Sequence, residues 1–348
     1  MLNPFGGLSR NMSSYTPHQY IDRRTNRVTT EHLIADPLIH QLYTTAREKA
    51  PRLFQAATSR RMSSLLGYLN FDLPFSTSKA FTVDRLRTMG IAIDECLDSP
   101  DKLNTPRRIF ERKIRYWACR PQPDKKNRVV SPADARMLVG SFARENALFL
   151  KEKFFSYPEL LGKDKDRWID TFKFGDFAIF RLTPDKYHYN HVPVSGEVSD
   201  FYEINGQYHS CNPGAVIAEI TPFSKNRRLV TIIDTDVPGG TGVGMVAMIE
   251  IVAMMIGDIV QCYSTRRYDR PQDVSPGLFL QRGAPKSLYR PGSSVDIIVF
   301  EKNRIAFSDD ILTNMRRCDV VSRFTRRFHS PLVETDVHVR SEIGRKAK

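Results

Sequence analysis

The sequence predicts an α+β fold, a helical N-terminal region packed on a β-rich domain. Three features carry that prediction. Apolar residues recur at helical spacing before residue 120. The segment Pro121-Gln122-Pro123-Asp124-Lys125-Lys126-Asn127 is turn-rich and charged. From Val129 onward, short β-branched and aromatic runs alternate with Gly, Pro and Asn turns. At 348 residues the chain is long enough for one large domain or two smaller ones, and 41% hydrophobic residues suit a packed core rather than wholesale disorder. There is no internal repeat and no low-complexity tract.

Taken in order, residues 1–30 are polar and basic and are expected to form a flexible, loosely held N-terminus. The helical region spans 31–120. Asp36-Pro37 reads as an N-cap with Pro at the first helical position, and Leu38, Ile39, Leu42, Tyr43 and Ala46 follow at helical spacing. Pro51 interrupts. A second pattern runs through Leu53, Phe54, Ala57, Met62, Leu65, Leu66 and Leu69, with Arg52, Arg60 and Arg61 on its polar side. It reads as a core-facing helix whose basic side is free to meet a membrane if it lies on the outside. A third helical stretch covers 83–97. The β-rich domain, 128–330, has strand patterns at 177–182, 196–204, 229–233, 245–251 and 295–300, and 331–348 reads as a basic tail.

The net charge is +13, with basic clusters at Arg60-Arg61, Arg107-Arg108, Arg316-Arg317 and along 340–348. No helix-turn-helix, RNP-type strand or zinc-finger spacing accompanies them, so no nucleic-acid partner is expected. An anionic bilayer is the alternative, at about 1 kcal/mol per nearby Lys or Arg. A simple solubilising role is the plainest reading. The longest apolar stretch, 245–259, is broken by Glu250, Gly257 and Asp258, so no transmembrane helix is expected. The first 20 residues lack an apolar core, so no signal peptide is expected either. The five cysteines form no C-x-x-C pair, which argues against a metal or disulfide framework and for a reducing compartment. The expected location is the cytoplasm, with peripheral membrane contact allowed.

The chemistry centres on Gly292-Ser293-Ser294, at the head of an apolar strand. A glycine leaves its carbonyl open to attack by the neighbouring hydroxyl and tolerates the strained backbone that attack requires. The same tripeptide is also a common loop. Asp185-Lys186-Tyr187-His188-Tyr189-Asn190-His191-Val192-Pro193-Val194-Ser195-Gly196 places two histidines three apart, and Asp134 lies upstream in Ser131-Pro132-Ala133-Asp134-Ala135. An Asp, a His and a Ser are the set that makes a hydroxyl nucleophilic. Each also has a plain reading: a core histidine, or an Asp capping the turn after Pro132. In an extended segment, residues three apart point to opposite faces, so His188 and His191 reach one site only through a turn or bulge. Gly239-Gly240-Thr241-Gly242-Val243-Gly244 lacks the lysine and helix start of a phosphate loop and reads as a hairpin or lid.

With these motifs in hand, the sequence resembles the phosphatidylserine decarboxylase family over roughly 131–300. The resemblance rests on Phe177-Ala178-Ile179-Phe180-Arg181-Leu182 leading into His-x-x-His-x-Pro-x-x-Gly, on Tyr202-Glu203-Ile204-Asn205-Gly206 and Asn212-Pro213, and on Lys225-Asn226-Arg227-Arg228 before Asp234-Thr235. It implies that the β-rich domain is catalytic and that Ser293 attacks the Gly292 carbonyl. The resulting ester then eliminates, cutting the chain into 1–292 and 293–348. Ser293 would become a pyruvoyl group, the electron sink that pyridoxal phosphate supplies in other decarboxylases, so neither pyridoxal phosphate nor a metal is expected. His191 would deprotonate Ser293, with Asp134 orienting it, and His188 would protonate the product carbon.

The implied reaction is phosphatidylserine to phosphatidylethanolamine and CO2. The implied partners are the lipid, the chain's own cleaved small piece and a homodimer mate. Two other readings stay open: a pyruvoyl-dependent decarboxylase of a soluble amino acid, such as an aromatic one, and a basic binding protein on an inactive decarboxylase fold. This chain departs from the family pattern at Val252, where a glycine is expected, at Ala284-Pro285-Lys286-Ser287, at Pro291, and at Ser294 in place of Thr.

Overall fold

The computed structural model describes residues 16–33, 42–43, 49–59, 87, 90–142, 154–218, 221–253, 258–291, 294–328 and 330–348. Its strands are β1 (Gln19–Asp22), β2 (Arg27–Thr30), β3 (Arg128–Val130), β4 (Ala135–Ser141), β5 (Asp176–Leu182), β6 (Tyr189–His191), β7 (Gly196–Ile204), β8 (Arg228–Asp234), β9 (Met245–Val252), β10 (Ile259–Gln261), β11 (Phe279–Leu280), β12 (Pro285–Tyr289), β13 (Ser294–Phe300), β14 (Ile305–Phe307), β15 (Thr335–Val337) and β16 (Glu342–Lys346). Ten of them form one sheet in the order β11-β7-β8-β9-β13-β5-β4-β15-β1-β2, antiparallel throughout except for the β1–β15 pair. Two three-stranded sheets, β10-β12-β6 and β14-β16-β3, complete the β structure.

Period-two alternation sorts the large sheet's side chains onto two faces. Val295, Ile297 and Val299 of β13 join a core with Ile249, Ile251, Phe177 and Ile179, covered by residues of the short helices Tyr157–Leu161, Asp166–Thr171 and Arg323–Phe328. Ile298 and Phe300 face the opposite core with Phe180, Leu182 and Val252, where the small sheets supply Tyr289, Ile259, Val129 and Ile343. The molecule is thus layered as helices, large sheet, small sheets. Every residue of β13 is buried, as expected of a strand covered on both faces. Each fully buried Ile, Val or Phe contributes about 1.5–3 kcal/mol of apolar burial.

The strand patterns at 177–182, 196–204, 229–233, 245–251 and 295–300 all become strands, within a residue of their expected limits. The Gly239–Gly244 segment joins antiparallel neighbours β8 and β9, as a hairpin. Gly239, Gly242 and Gly244 have φ of 81°, 78° and 74°, a region that disfavours side chains.

Two expectations are corrected. The N-terminus is not loose from residue 16: β1 and β2 form a hairpin on the sheet edge, because Ile21 packs fully buried against Val320 and Val333. The basic tail is not a tail. Its charges alternate with buried Val337, Val339 and Ile343, so β15 and β16 pair inside two sheets. Among the described residues the helical region consists of short pieces: Pro51–Ala57, Pro106–Phe110 and Tyr116–Cys119, with 3-10 turns at Ile93–Glu95 and Pro100–Lys102. The end of the expected 83–97 helix is one of those turns. The Asp36-Pro37 cap and most of the first two helical patterns fall outside the described residues.

Candidate active site

Gly292 and Ser293 lie outside the described residues, so the site is built from their neighbours. Ser294 opens β13 between Leu182 of β5 and Val252 of β9. It is 1% exposed, and its hydroxyl has no hydrogen-bond partner among the described residues. Its carbonyl accepts a long contact from Cys211 Sγ at 3.8 Å.

The two histidines take opposite sides of the segment entering β6. Tyr187 stacks on Tyr189 with 5.5 Å between ring centroids, and Tyr187 also reaches His191, so residues 187, 189 and 191 share one side. His191 Nδ1 donates to the Gly283 carbonyl at 2.9 Å. Its Nε2 accepts from the Tyr187 hydroxyl at 2.9 Å, itself backed by the Tyr268 hydroxyl at 2.7 Å. His188 lies on the other side with Asn190. It stacks on Phe110 at 3.5 Å, is fully buried, and has no hydrogen-bond partner at either ring nitrogen among the described residues. Burial pushes both imidazoles down to about 3; the Arg112 charge adds to this at His188 and the Arg340 charge at His191. Both are therefore neutral at pH 7, the state in which a ring nitrogen accepts a proton.

Asp134 is brought near His191 through the backbone, since the His191 amide donates to the Pro132 carbonyl at 2.7 Å. The carboxylate itself is held elsewhere. Arg120 grips it with two bonds, of 3.0 and 2.8 Å, and the Val339 amide donates to it at 2.8 Å. Burial alone would raise the Asp134 carboxyl, but Arg120 outweighs it and holds the group well below the usual carboxylate range. No hydrogen bond joins Asp134 to His191, so the described residues do not form a bonded Asp-His pair. The expected orienting partner is replaced by Tyr187 and Gly283.

A second buried polar group borders β13. Glu250 of β9 receives Lys286 Nζ at 2.5 Å, Asn190 Nδ2 at 3.2 Å and the Ser287 hydroxyl. Asp296 is the register partner of Glu250 and bonds the Tyr289 hydroxyl at 2.7 Å. Glu250, Lys286, Ser287, Asn190 and Asp296 are all 0% exposed. Burial and the Glu250 charge together drive the Asp296 carboxyl well above its ordinary range. The sequence reading misses this group and uses Glu250 only to exclude a membrane span. The available signal was charge inside an apolar run: Glu250 within 245–252 and Asp296 within 294–300.

At the far edge of the same sheet, His18, Glu31 and Glu334 converge with ligand atoms within 4.8 Å of one another, a set able to hold a metal ion. Arg181 already binds both carboxylates, at 2.6–3.0 Å. Arg136 lies 3.2 Å from Glu31. The charge there is balanced by protein groups.

Comparison with known proteins gives the family. A family model described as phosphatidylserine decarboxylase matches residues 107–324. A phosphatidylserine decarboxylase proenzyme of Fusobacterium nucleatum is 29% identical over 303 residues, covering 85% of this chain and 91% of the relative. The corresponding proenzyme of Chlamydia trachomatis is 26% identical over 318 residues, covering 89% and 98%. A phosphatidylserine decarboxylase proenzyme 2 of Oryza sativa is 33% identical over 231 residues, covering 65% of this chain but 34% of that longer relative. The matched residues include the head of β13 and the buried polar groups around it. The chain belongs to the phosphatidylserine decarboxylase family.

Proposed function

We propose that the chain is a proenzyme that cuts itself between Gly292 and Ser293 and then converts phosphatidylserine to phosphatidylethanolamine and CO2. The observation that carries this reading is the family match spanning the Gly292-Ser293 bond, with the next residue, Ser294, heading the most buried strand of the sheet. The buried surroundings suit a pyruvoyl group at position 293. The His188 nitrogens and the Ser294 hydroxyl are buried without partners among the described residues and would find them in a reactive carbonyl and a bound substrate. The pyruvoyl group supplies a sink for the electron pair released when the carbon–carboxylate bond breaks.

The chain's own residues do the rest. His188 delivers the proton that the product carbon takes up as CO2 leaves. Its ring nitrogens have no partner among the described residues; burial keeps the ring neutral, so it passes on a proton first taken from the bound substrate or from water. His191 acts as base toward Ser293 after exchanging its bond from Tyr187. Asp134 favours the protonated imidazole through its charge, across the backbone link at Pro132. After the cut the small chain 293–348 stays bound, because all seven residues of β13 pair with β5 on one side and β9 on the other. Among the described residues no helix is long and apolar enough to cross a membrane. With a net charge of +13, peripheral binding to an anionic bilayer is the mode of lipid access we propose.

Intact mass tests the first step. Wild type should give two pieces, the smaller beginning at residue 293 with a ketone in place of its amine; Ser293→Ala should stay whole, and Ser294→Ala should cut at the same bond. His191→Ala should stop the cut. His188→Ala should cut normally and lose about 10²–10⁴-fold in decarboxylation. Wild type that stays whole refutes the reading. Processed enzyme that ignores phosphatidylserine vesicles but decarboxylates a free aromatic amino acid moves the substrate to that class, which Val252, buried beside Ser294, would accommodate as a narrower site.

A further inference from the structure

The Tyr289 hydroxyl sits between two register partners of the central sheet. It receives the Ile251 amide at 3.0 Å and lies 3.0 Å from the Val295 carbonyl and 2.7 Å from Asp296 Oδ1. A phenol has one hydrogen and accepts at its oxygen. The Val295 carbonyl and an ionised Asp296 can both only accept, so one phenol hydrogen is left to serve two acceptors. The amide fills one acceptor position. A protonated Asp296 carboxyl serves all three contacts at once, with the phenol donating to Val295 and the carboxyl donating to Tyr289.

The charge balance agrees. Across the ladder, Glu250 is paired with Lys286, so that pair is neutral and leaves no cation for a second carboxylate. The titratable groups facing Asp296 are Glu250 from β9 and Lys286 and Tyr289 from β12; its neighbour on β5 is Phe180. Oδ2 of Asp296 has no partner among the described residues. An ionised Asp296 would be a second buried anion beside Glu250, a costly arrangement that proton uptake avoids.

We propose that Asp296 and Tyr289 are positioning residues for self-cleavage: a hydrogen bond donated by the Asp296 carboxyl locks Tyr289 onto the Val295 carbonyl and so fixes the first residues of β13 next to the Gly292–Ser293 bond. This rests on the cleavage reading above. It adds the residues that hold the strand whose first neighbour is cut.

The test uses the full-length chain. Asp296→Asn keeps a donor at the same place and should process within about threefold of wild type. Asp296→Ala and Tyr289→Phe should each process about tenfold or more slowly, with cooperative melting retained. Asp296→Asn as slow as Asp296→Ala overturns the proposal. Infrared difference spectra of wild type minus Asp296→Asn at neutral pH should contain the carbonyl stretch of a protonated carboxyl; a carboxylate band there overturns it independently of processing. If wild type fails to cut, the cleavage reading falls, while the infrared result still decides the state of Asp296. Should Asp296→Ala fail to fold, the Tyr289→Phe rate and the infrared band carry the decision.

Discussion

Two buried charge clusters sit in the same ten-stranded sheet and solve burial in opposite ways. At its edge, Glu31 and Glu334 share Arg181, with His18 on Glu334 at 2.7 Å. These side chains come from beside β1 and β2, from β5 and from the start of β15, so the cluster staples four segments, one of them in the small chain. Near its centre, Glu250 has Lys286, while Asp296 has no ion-pair cation among the described residues and, in our proposal, keeps a proton. Burial pushes the carboxyl up at Glu334 and at Asp296 alike. At Glu334 the Arg181 and His18 partners reverse that push; at Asp296 the Glu250 charge reinforces it. The edge therefore works with full charges and serves as a fastener. The centre holds a titratable proton three residues from Ser293, where chemistry is expected.

The largest effect should come from breaking the fastener. Arg181→Met leaves two buried carboxylates without their shared cation. Removing one member of a buried ion group costs about 3–5 kcal/mol, since the remaining charge stays desolvated. Urea unfolding should show this loss, and in processed protein the small chain should separate at lower urea than in wild type. A loss below about 1 kcal/mol would mean that the edge cluster is solvated in solution, and the contrast with the centre would disappear.

The pH dependence of stability sharpens the contrast, with opposite signs. Glu334 has a lowered pKa. Its contribution is present above the ordinary glutamate value of 4.5 and is lost as pH falls through its folded value. Asp296 has a raised pKa. Its contribution is complete below the ordinary aspartate value of 3.8 and is lost as pH rises through its folded value. Asp296→Asn should therefore gain on wild type as pH rises from about 4, by at most about 1.4 kcal/mol per pH unit until Asp296 ionises. Arg181→Met should differ most from wild type near neutrality and least in acid. Urea midpoints taken across that range give both slopes. Parallel curves for Asp296→Asn and wild type would show that Asp296 is ionised already.

How much of this was legible in the sequence follows the same division. The strands of the β-rich domain were readable because buried strands such as 177–182 and 295–300 are nearly continuous β-branched and aromatic runs between turn residues. The Ser293, His191 and Asp134 candidates come from residue type and from the family resemblance. Their wiring was not legible: Arg120 is distant from Asp134 in kind and in pattern, and only folding reveals that it takes the carboxylate. The N-terminal and C-terminal strands were hidden because Ile21, Val337 and Ile343 are single apolar residues among charged and polar ones such as Asp22, Asp336 and Glu342. The centre cluster was hidden for the converse reason, its charges being single residues inside apolar runs that read as plain strand.

The smallest test asks whether the centre cluster is redundantly bonded. Ser287 gives its hydroxyl hydrogen to Glu250, which also holds Lys286 and Asn190. Ser287→Ala deletes one of three donors and no charge, and the methyl group fills most of the space. The cost should be about 1 kcal/mol, the net worth of one buried hydrogen bond, because the carboxylate keeps its cation. His18→Leu at the edge removes one donor from Glu334 in the same way, leaving Arg181 in place, and should cost a similar amount. Matched urea curves for the two variants would mean that each cluster is anchored by its Lys or Arg and trimmed by its other donors. A Ser287→Ala loss as large as that of Arg181→Met would instead make the hydroxyl the anchor of the centre. Lys286 alone would then not hold the Glu250 charge, and the view that Glu250–Lys286 is a closed neutral pair, on which the protonated Asp296 depends, would fail.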